Sequence, residues 1–205
     1  MPNKFHQIAF TESVRDAQSH YGSRSHYAKF DAGPEKNVAF SDAELDFIEQ
    51  RDGFYMATVN ENGHPYIQFR GGPTGFLKVI DERTLGFADF RGNLQYISVG
   101  NLTTNKKAAL FLMDYANQRR LKILADVEVK DAADAPDMIE ALQIGGYKAT
   151  VERAVVFHLE AFDWNCTQHT TPRYTMDEIR AMIGPLNDHI KRLESEIEKL
   201  KRERK

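Results

Sequence analysis

Two short runs combine arginine with glycine at the ends of strand-like segments, and there this sequence is best equipped for chemistry. In the first, Tyr66-Ile67-Gln68-Phe69-Arg70-Gly71-Gly72-Pro73, Gln68 and Arg70 stand two apart, so on a strand they share one face. Arginine presents a planar fork of donors suited to phosphate. Glutamine can hydrogen-bond a heteroaromatic edge, and the glycines after Arg70 leave backbone open to a flat ring. The competing expectation is that both side chains are simply solvated on a barrel exterior. In the second run, Phe87-Ala88-Asp89-Phe90-Arg91-Gly92-Asn93-Leu94, the spacing predicts a helix over 94–102 with Asn93 as its N-cap. Arg91 and the positive helix end would then meet a phosphate. Turn and cap chemistry explains Gly92-Asn93 but not Arg91.

Two further clusters carry polar chemistry. Arg119-Arg120-Leu121-Lys122 opens a later strand, where a basic edge would also discourage aggregation. Asp163-Trp164-Asn165-Cys166-Thr167-Gln168-His169 sets the only tryptophan beside several hydrogen-bonding side chains. Cys166 and His169 have a spacing open to two metal ligands, but a zinc site needs three or four and no second cluster accompanies them. A reactive thiol would need a base that the sequence does not fix beside Cys166. No metal is expected. His169 and Tyr66 are the candidates for an acid or base, and no catalytic residue is assigned.

The pieces Gly63-x-Pro65-Tyr66, Phe87-Ala88-Asp89-Phe90-Arg91-Gly92-Asn93, Asn105-Lys106-Lys107-Ala108-Ala109-Leu110-Phe111 and Arg119-Arg120-Leu121-Lys122 occur in an order and spacing with a wider parallel. The chain resembles the flavin-nucleotide-binding proteins of the pyridoxamine-5'-phosphate-oxidase-like superfamily, and the Asp163–His169 motif looks like a subgroup signature within them. The resemblance implies a split antiparallel β-barrel that binds flavin mononucleotide (FMN) between two subunits. The flavin contacts it implies are Gln68, Phe69, Arg70 and Gly71, then Ala88, Asp89, Arg91, Gly92 and Asn93. Arg120 falls where the resembling oxidases have a glutamine contacting the flavin. Trp164, Asn165, Gln168 and His169 would reach the flavin of the partner subunit. The family's Ser-Arg-Lys run reads Gly92-Asn93-Leu94 here, so the phosphate charge would come from Arg91, Arg70, Lys78 or Arg120. The Arg-x-His for the pyridoxamine phosphate substrate is not evident, with Gln168-His169 and Arg173 only loose substitutes. The expected function is therefore a related oxidoreductase that moves hydride through flavin N5 to or from a small molecule. The alternative is a non-catalytic flavin- or haem-binding sensor or storage module, with His158 or His169 as the axial ligand in the haem case.

The elements that must position these residues read mainly as strands. A polar N-terminal arm over residues 1–40 contains the near repeat Ser19-His20-Tyr21 and Ser25-His26-Tyr27 and ends near Gly33-Pro34. Ser41-Asp42-Ala43-Glu44 is a capping box opening a short helix, with Phe40, Leu45 and Ile48 giving it an apolar side. Strands follow over 54–59, 66–70, 76–80, 85–89, 108–114, 121–129 and 154–162, with a helix over 135–142. Asn62-Gly63 supplies the left-handed positions of a tight hairpin. Consecutive strands at this spacing favour a closed or nearly closed antiparallel barrel, six-stranded or similar, over 41–172.

Beyond it, Thr175-Met176-Asp177-Glu178 caps a helix within 173–205. Ile190 and Ile197 take a positions and Leu186, Leu193 and Leu200 take d positions, the combination that favours a parallel two-stranded coil. Glu196 at g would face Lys201 at e of a partner. An amphipathic helix packed on its own barrel would show the same stripe. Gly184-Pro185 is expected to break or kink it.

With 205 residues, 41% hydrophobic and 28% charged, the chain has the composition of a globular domain. A formal charge of -3 argues against general nucleic-acid binding. The single cysteine agrees with a reducing compartment. No apolar run approaches the roughly 18 residues of a membrane span, and Met1-Pro2-Asn3-Lys4-Phe5-His6 lacks a signal-peptide core. The expectation is a cytoplasmic homodimer with no nucleic-acid or membrane partner.

Overall fold

The computed structural model describes residues 3–31 and 35–204, so the predicted arm end at Gly33-Pro34 lies outside the described residues. Two compact units make up the chain. The first runs to Asp114 and resumes over Arg119–Thr167, and the second comprises Tyr115–Gln118 with the segment from Gln168 onward.

The arm of the first unit is more regular than its polar sequence indicates, forming helices α1 (Lys4–Ala9), α2 (Glu12–His20) and α3 (Arg24–Tyr27). What orders it is aromatic packing: His6 stacks on Phe10 at 4.5 Å and meets Tyr27 and Phe30 edge-on. Asn3 Nδ2 donates to Asp163 Oδ1 at 3.1 Å, tying the arm to the last strand of the same unit. Helix α4 (Asp42–Glu49) starts at the predicted capping box, with Ser41 and Glu44 bonded reciprocally.

Seven strands follow, one for each span expected: β1 (Gly53–Val59), β2 (Pro65–Gly71), β3 (Lys78–Asp81), β4 (Thr84–Phe90), β5 (Lys107–Asp114), β6 (Arg119–Asp131) and β7 (Val151–Trp164). All pairings are antiparallel, in the order β2-β1-β5-β6-β7-β4-β3. Helix α5 (Ile97–Thr104) connects β4 to β5, and α6 (Pro136–Leu142) connects β6 to β7. In the β1–β2 hairpin only Gly63 takes a positive φ, +82°; the five-residue loop is held by Asn60, whose Oδ1 accepts from the backbone of Asn62 and His64.

Alternating residues of β1, β5 and β6 enter the core, as period-two patterning requires. Its centre is four phenylalanines. Phe54 stacks on Phe76 and Phe87 on Phe157, while Phe54 meets Phe87 and Phe157 edge-on. This alternation of stacked and T-shaped contacts is the packing that ring quadrupoles favour. The sheet wraps around the cluster far enough for Arg70 on its edge strand β2 to reach Asp89 on β4. The fold is a split antiparallel barrel with flanking helices.

The second unit is dominated by helix α7 (Met176–Glu203), capped reciprocally by Thr175 and Glu178. Contrary to the expected break, it continues through Gly184 and Pro185 as one helix of 28 residues. None of its residues is buried. Among the described residues no helix is long and apolar enough to cross a membrane.

Candidate functional site

β2 turns Tyr66, Gln68 and Arg70 towards a pocket that is closed on its other sides by Asp89, Arg153 and the segment from Gly92 to Val99. The shared face of Gln68 and Arg70 follows from strand alternation. Its neighbours, Ile67 and Phe69, consequently point the other way and are 63% and 57% exposed. Phe69 lies on that outer face over Gly53 and Gly71: a methyl added to Gly53 would sit 2.2 Å from its Cζ, and one added to Gly71 2.8 Å from its Cε1. A methyl on Gly72 would lie 2.7 Å from Phe76 Cγ. The glycines after Arg70 therefore make room for the chain's own rings.

A chain of charges forms the floor. Arg70 Nη1 donates to Asp89 Oδ1 at 3.0 Å, and Arg153 Nε donates to Asp89 Oδ2 at 3.0 Å. Arg153 Nη2 also reaches Glu152 Oε2 at 2.7 Å, and Glu152 Oε1 accepts from Arg91 Nε at 2.8 Å. Three guanidinium groups thus share two carboxylates, leaving one positive charge over. Burial acts most strongly on Arg153 and would favour its neutral form, but Asp89 and Glu152 outweigh it and raise its pKa. The hydrogen bond from Arg91, then the partly opposing desolvation and the bond from Arg153, leave the Glu152 carboxyl below its ordinary value. Within this network the buried Nε of Arg70 has no acceptor. A buried donor left in this state is costly unless something supplies an acceptor.

The loop above the floor differs from the predicted cap. α5 begins at Ile97, not at Leu94, and its N-cap is Tyr96 with φ +52°. Asn93 instead closes a local turn by accepting from the backbone N–H of Gln95 at 3.2 Å, an interaction that competes with helix initiation. Leu94 and Tyr96 both hold left-handed backbone, at φ +62° and +52°. Two non-glycine residues in that region within three positions store of order 1 kcal/mol each. Their side chains, with Ile97, form an exposed apolar rim over the polar floor. Arg153 lies 5.0 Å from the Tyr96 ring centroid, a cation–π contact that steadies the rim. Below it Ser98 Oγ donates to Gln68 Oε1 at 3.3 Å, and Asn101 Nδ2 donates to Thr58 Oγ1 at 2.9 Å in the core. These bonds moor α5 to β2 and β1.

The expected contacts are only partly gathered here. Gln68, Arg70, Asp89, Gly92 and Asn93 line the pocket, and a carbon added to Gly92 would meet nothing within 4 Å. Phe69, Gly71 and Arg91 line an adjoining cavity on the other side of the Arg70–Asp89 pair, together with Tyr147. Ala88 is buried in a small cluster against Ile139 and Leu142 of α6. Arg120, Trp164 and Asn165 form a separate group: Trp164 Nε1 donates to Glu44 Oε1 at 2.6 Å, and Arg120 binds the Cys166 carbonyl and the side-chain oxygen of Asn165. Arg119 covers the Trp164 ring at 4.6 Å. Gln168 and His169 fall in the second unit and are exposed, His169 with φ +61°.

Arg153, Glu152, Tyr96 and Ser98 were not legible as site residues. Arg153 sits 64 positions from Asp89 and opens an apolar strand, where a charged pair reads as a strand boundary. Among the described residues no three His, Cys, Asp or Glu side chains cluster as metal ligands.

The family model for pyridoxamine 5'-phosphate oxidase matches residues 40–164, more than half of the chain. The chain belongs to that family. Among solved structures, HupZ of Group A Streptococcus superposes with a TM-score of 0.50 at 15% identity, covering 66% of this chain and 99% of that one. A protein from Clostridium acetobutylicum related to general stress protein 26 of B. subtilis gives 0.44 at 19% identity, over 67% and 94%. An FMN-binding protein from Syntrophomonas wolfei gives 0.44 at 15%, over 76% and 96%. At such identities the likeness to HupZ concerns the fold. No curated protein matches the sequence. The matched segment of the family ends at Trp164, short of α7, so both the pocket and the Trp164 anchor belong to the family domain.

Proposed function

We propose that this family member binds FMN in the pocket between β2, β4 and the Gly92–Val99 segment, and works as an oxidoreductase on a small molecule. The observation that carries the reading is Arg70: a mostly buried guanidinium lining the pocket, its Nε without an acceptor, in a network with one positive charge to spare. An anionic group completes such a site. Gln68 supplies a carboxamide for a heteroaromatic edge, and the rim of Leu94, Tyr96 and Ile97 an apolar surface for the flat face of a ring. Bound there, FMN would supply hydride acceptance and return at N5. The protein's share is to orient the ring, hold the anion and keep water from the reacting face.

The reading includes a homodimer in the cytoplasm. Support for the second copy is the outer face of β2, where Ile67 and Phe69 stand exposed beside Tyr55 and Phe111. A lone cysteine agrees with a reducing compartment.

The decisive experiment is an absorbance titration of the purified protein with FMN, alongside Arg70→Ala. Saturable binding that weakens at least about tenfold in the variant, the loss of roughly 1.4 kcal/mol of interaction, supports the site. Equal affinity in both proteins removes Arg70 from it. Binding without turnover by any nicotinamide donor turns the protein into a flavin-binding module, and a haem spectrum in place of flavin binding overturns the reading.

A further inference from the structure

Helix α7 carries an apolar seam along its length, and none of the helix's residues is buried. Continuing the heptads set by Ile190 and Ile197 back to the start of the helix puts Met176 and Ile183 at a, and Ile179 joins Leu186, Leu193 and Leu200 at d. Every one of these eight positions is apolar, over the whole 28 residues. Leu186, Ile190, Leu193, Ile197 and Leu200 are each between 43% and 57% exposed. Gly184 and Pro185 fall at b and c, on the side of the helix away from the seam, so the stripe passes them uninterrupted. Pro185 lacks an N–H for the helix ladder and sets its ring against the carbonyl of Ala181, one turn back, at c on the side away from the seam.

We infer that α7 pairs with α7 of a second copy of this chain as a parallel, in-register, two-stranded coiled coil. Three observations select this occupant. Isoleucine at a with leucine at d favours two parallel strands over higher orders. An a/d seam this narrow suits a like helix, whereas docking on a globular core calls for the broader stripe that includes e or g, and here those positions are Arg180, Asn187, Glu194 and Lys201 at e and Met182, His189, Glu196 and Glu203 at g. The charges are also complementary in the parallel register, where each g faces the e five residues on in the partner. Glu196 meets Lys201, and His189, whose Nδ1 lies 2.6 Å from Arg192 Nη2 of its own helix, meets Glu194 as a hydrogen-bonding neighbour. Lys201 already holds Glu198 of its own helix at 3.2 Å on the surface, an exposed contact that leaves its ammonium able to share Glu196. An antiparallel pair would set a against d and lose both matches.

This pairing shares with the flavin reading only its second copy, and the test separates the two. In a Cys166→Ser background, Leu200→Cys is expected to form a disulfide-linked dimer under mild oxidation. Ser195→Cys, at an outward f position, is the control. Seam residues meet their own counterparts at millimolar effective concentration, so linkage should be on the order of a hundredfold faster at Leu200 than at Ser195. Adding Ile190→Glu and Ile197→Glu should abolish the difference while leaving Trp164 fluorescence unchanged. Equal linkage at both positions overturns the proposal. So does preferential linkage between Leu200→Cys and Met176→Cys chains, a d against an a at the opposite end, which signals an antiparallel pair, and so does an unreactive Leu200→Cys, which signals another occupant of the seam. Rapid linkage in a protein that fails to bind FMN leaves the coil standing and sinks the cofactor assignment alone.

Discussion

Arg70 and Asp89 are joined by a 3.0 Å ion pair although their strands, β2 and β4, are not ladder neighbours. Four strands intervene between them in the hydrogen-bonded order, so the pair spans the opening of the sheet. Asp89 is the pivot, its side chain 3% exposed and bridged on the other oxygen by Arg153. The same contact that draws the split together is the floor of the candidate site.

Replacing Asp89 with asparagine should be costly, because two mostly buried guanidinium groups lose their shared carboxylate. Breaking one side of such a pair typically costs about 3 kcal/mol. Urea unfolding measures this directly; a change below about 1 kcal/mol, the scale of an exposed pair, would deny Asp89 the closing role.

Arg70 and Arg91 should separate in function. Arg91 is 59% exposed and meets Glu152 at the surface, so Arg91→Ala is expected to change stability by less than about 0.5 kcal/mol. It should also shift FMN affinity far less than Arg70→Ala, since it lines the adjoining cavity and not the main pocket. Parallel fluorescence titrations decide the matter, and a larger effect at Arg91 would move the anion site to the other side of the Arg70–Asp89 pair.

Two groups make the fold acid-sensitive. Burial alone would raise the Glu44 carboxyl, but hydrogen bonds from Ser41 and the Trp164 indole win and hold it below its ordinary 4.5. Its contribution is complete above 4.5 and is lost as pH falls through the lowered folded value. His6 acts earlier. Burial lowers it from 6.5, against Asp163 and with help from Lys122. Below 6.5 the unfolded chain takes the proton before the fold does, so stability declines as pH falls from there. Thermal unfolding followed by Trp164 fluorescence should show both steps, and Glu44→Gln should flatten the lower one. An unchanged acid profile in Glu44→Gln would refute its part.

Thr58→Val should loosen α5. It leaves the Nδ2 of Asn101, a buried side chain, without its partner, a loss of about 1–3 kcal/mol. Faster amide exchange in α5 than in β1 is the expected signature, and uniform exchange across both would show that the bond does not moor the helix.

The elements were legible because their signals are local. Short apolar runs rich in aromatic and branched residues marked the strand cores from Phe54-Tyr55-Met56 to Val155-Val156-Phe157, and the Ser41/Glu44 and Thr175/Glu178 boxes marked two helix starts. Gln68 and Arg70 were readable as partners because a period of two forces them onto one face. The start of α5 was not. Asn93 is as good an N-cap as any by type, and only the backbone around it decided that its carboxamide would close a turn and leave the cap to Tyr96.

What the sequence by itself determined is therefore whatever depends on neighbours in the chain: strand and helix periods, caps, the family domain, and the a/d seam of α7. Tertiary structure alone decided which distant charges meet. Asp89 could have paired with many arginines in this chain; the β4–β7 register set Arg153 opposite it, and curling of the sheet added Arg70. It also drew Trp164 to Glu44, away from the pocket, and filled the space beside Gly71 with Phe69. The reason is that a charge or a glycine is compatible with many partners at similar energy, while the closed sheet brings only a few within about 3 Å, the reach of a hydrogen bond.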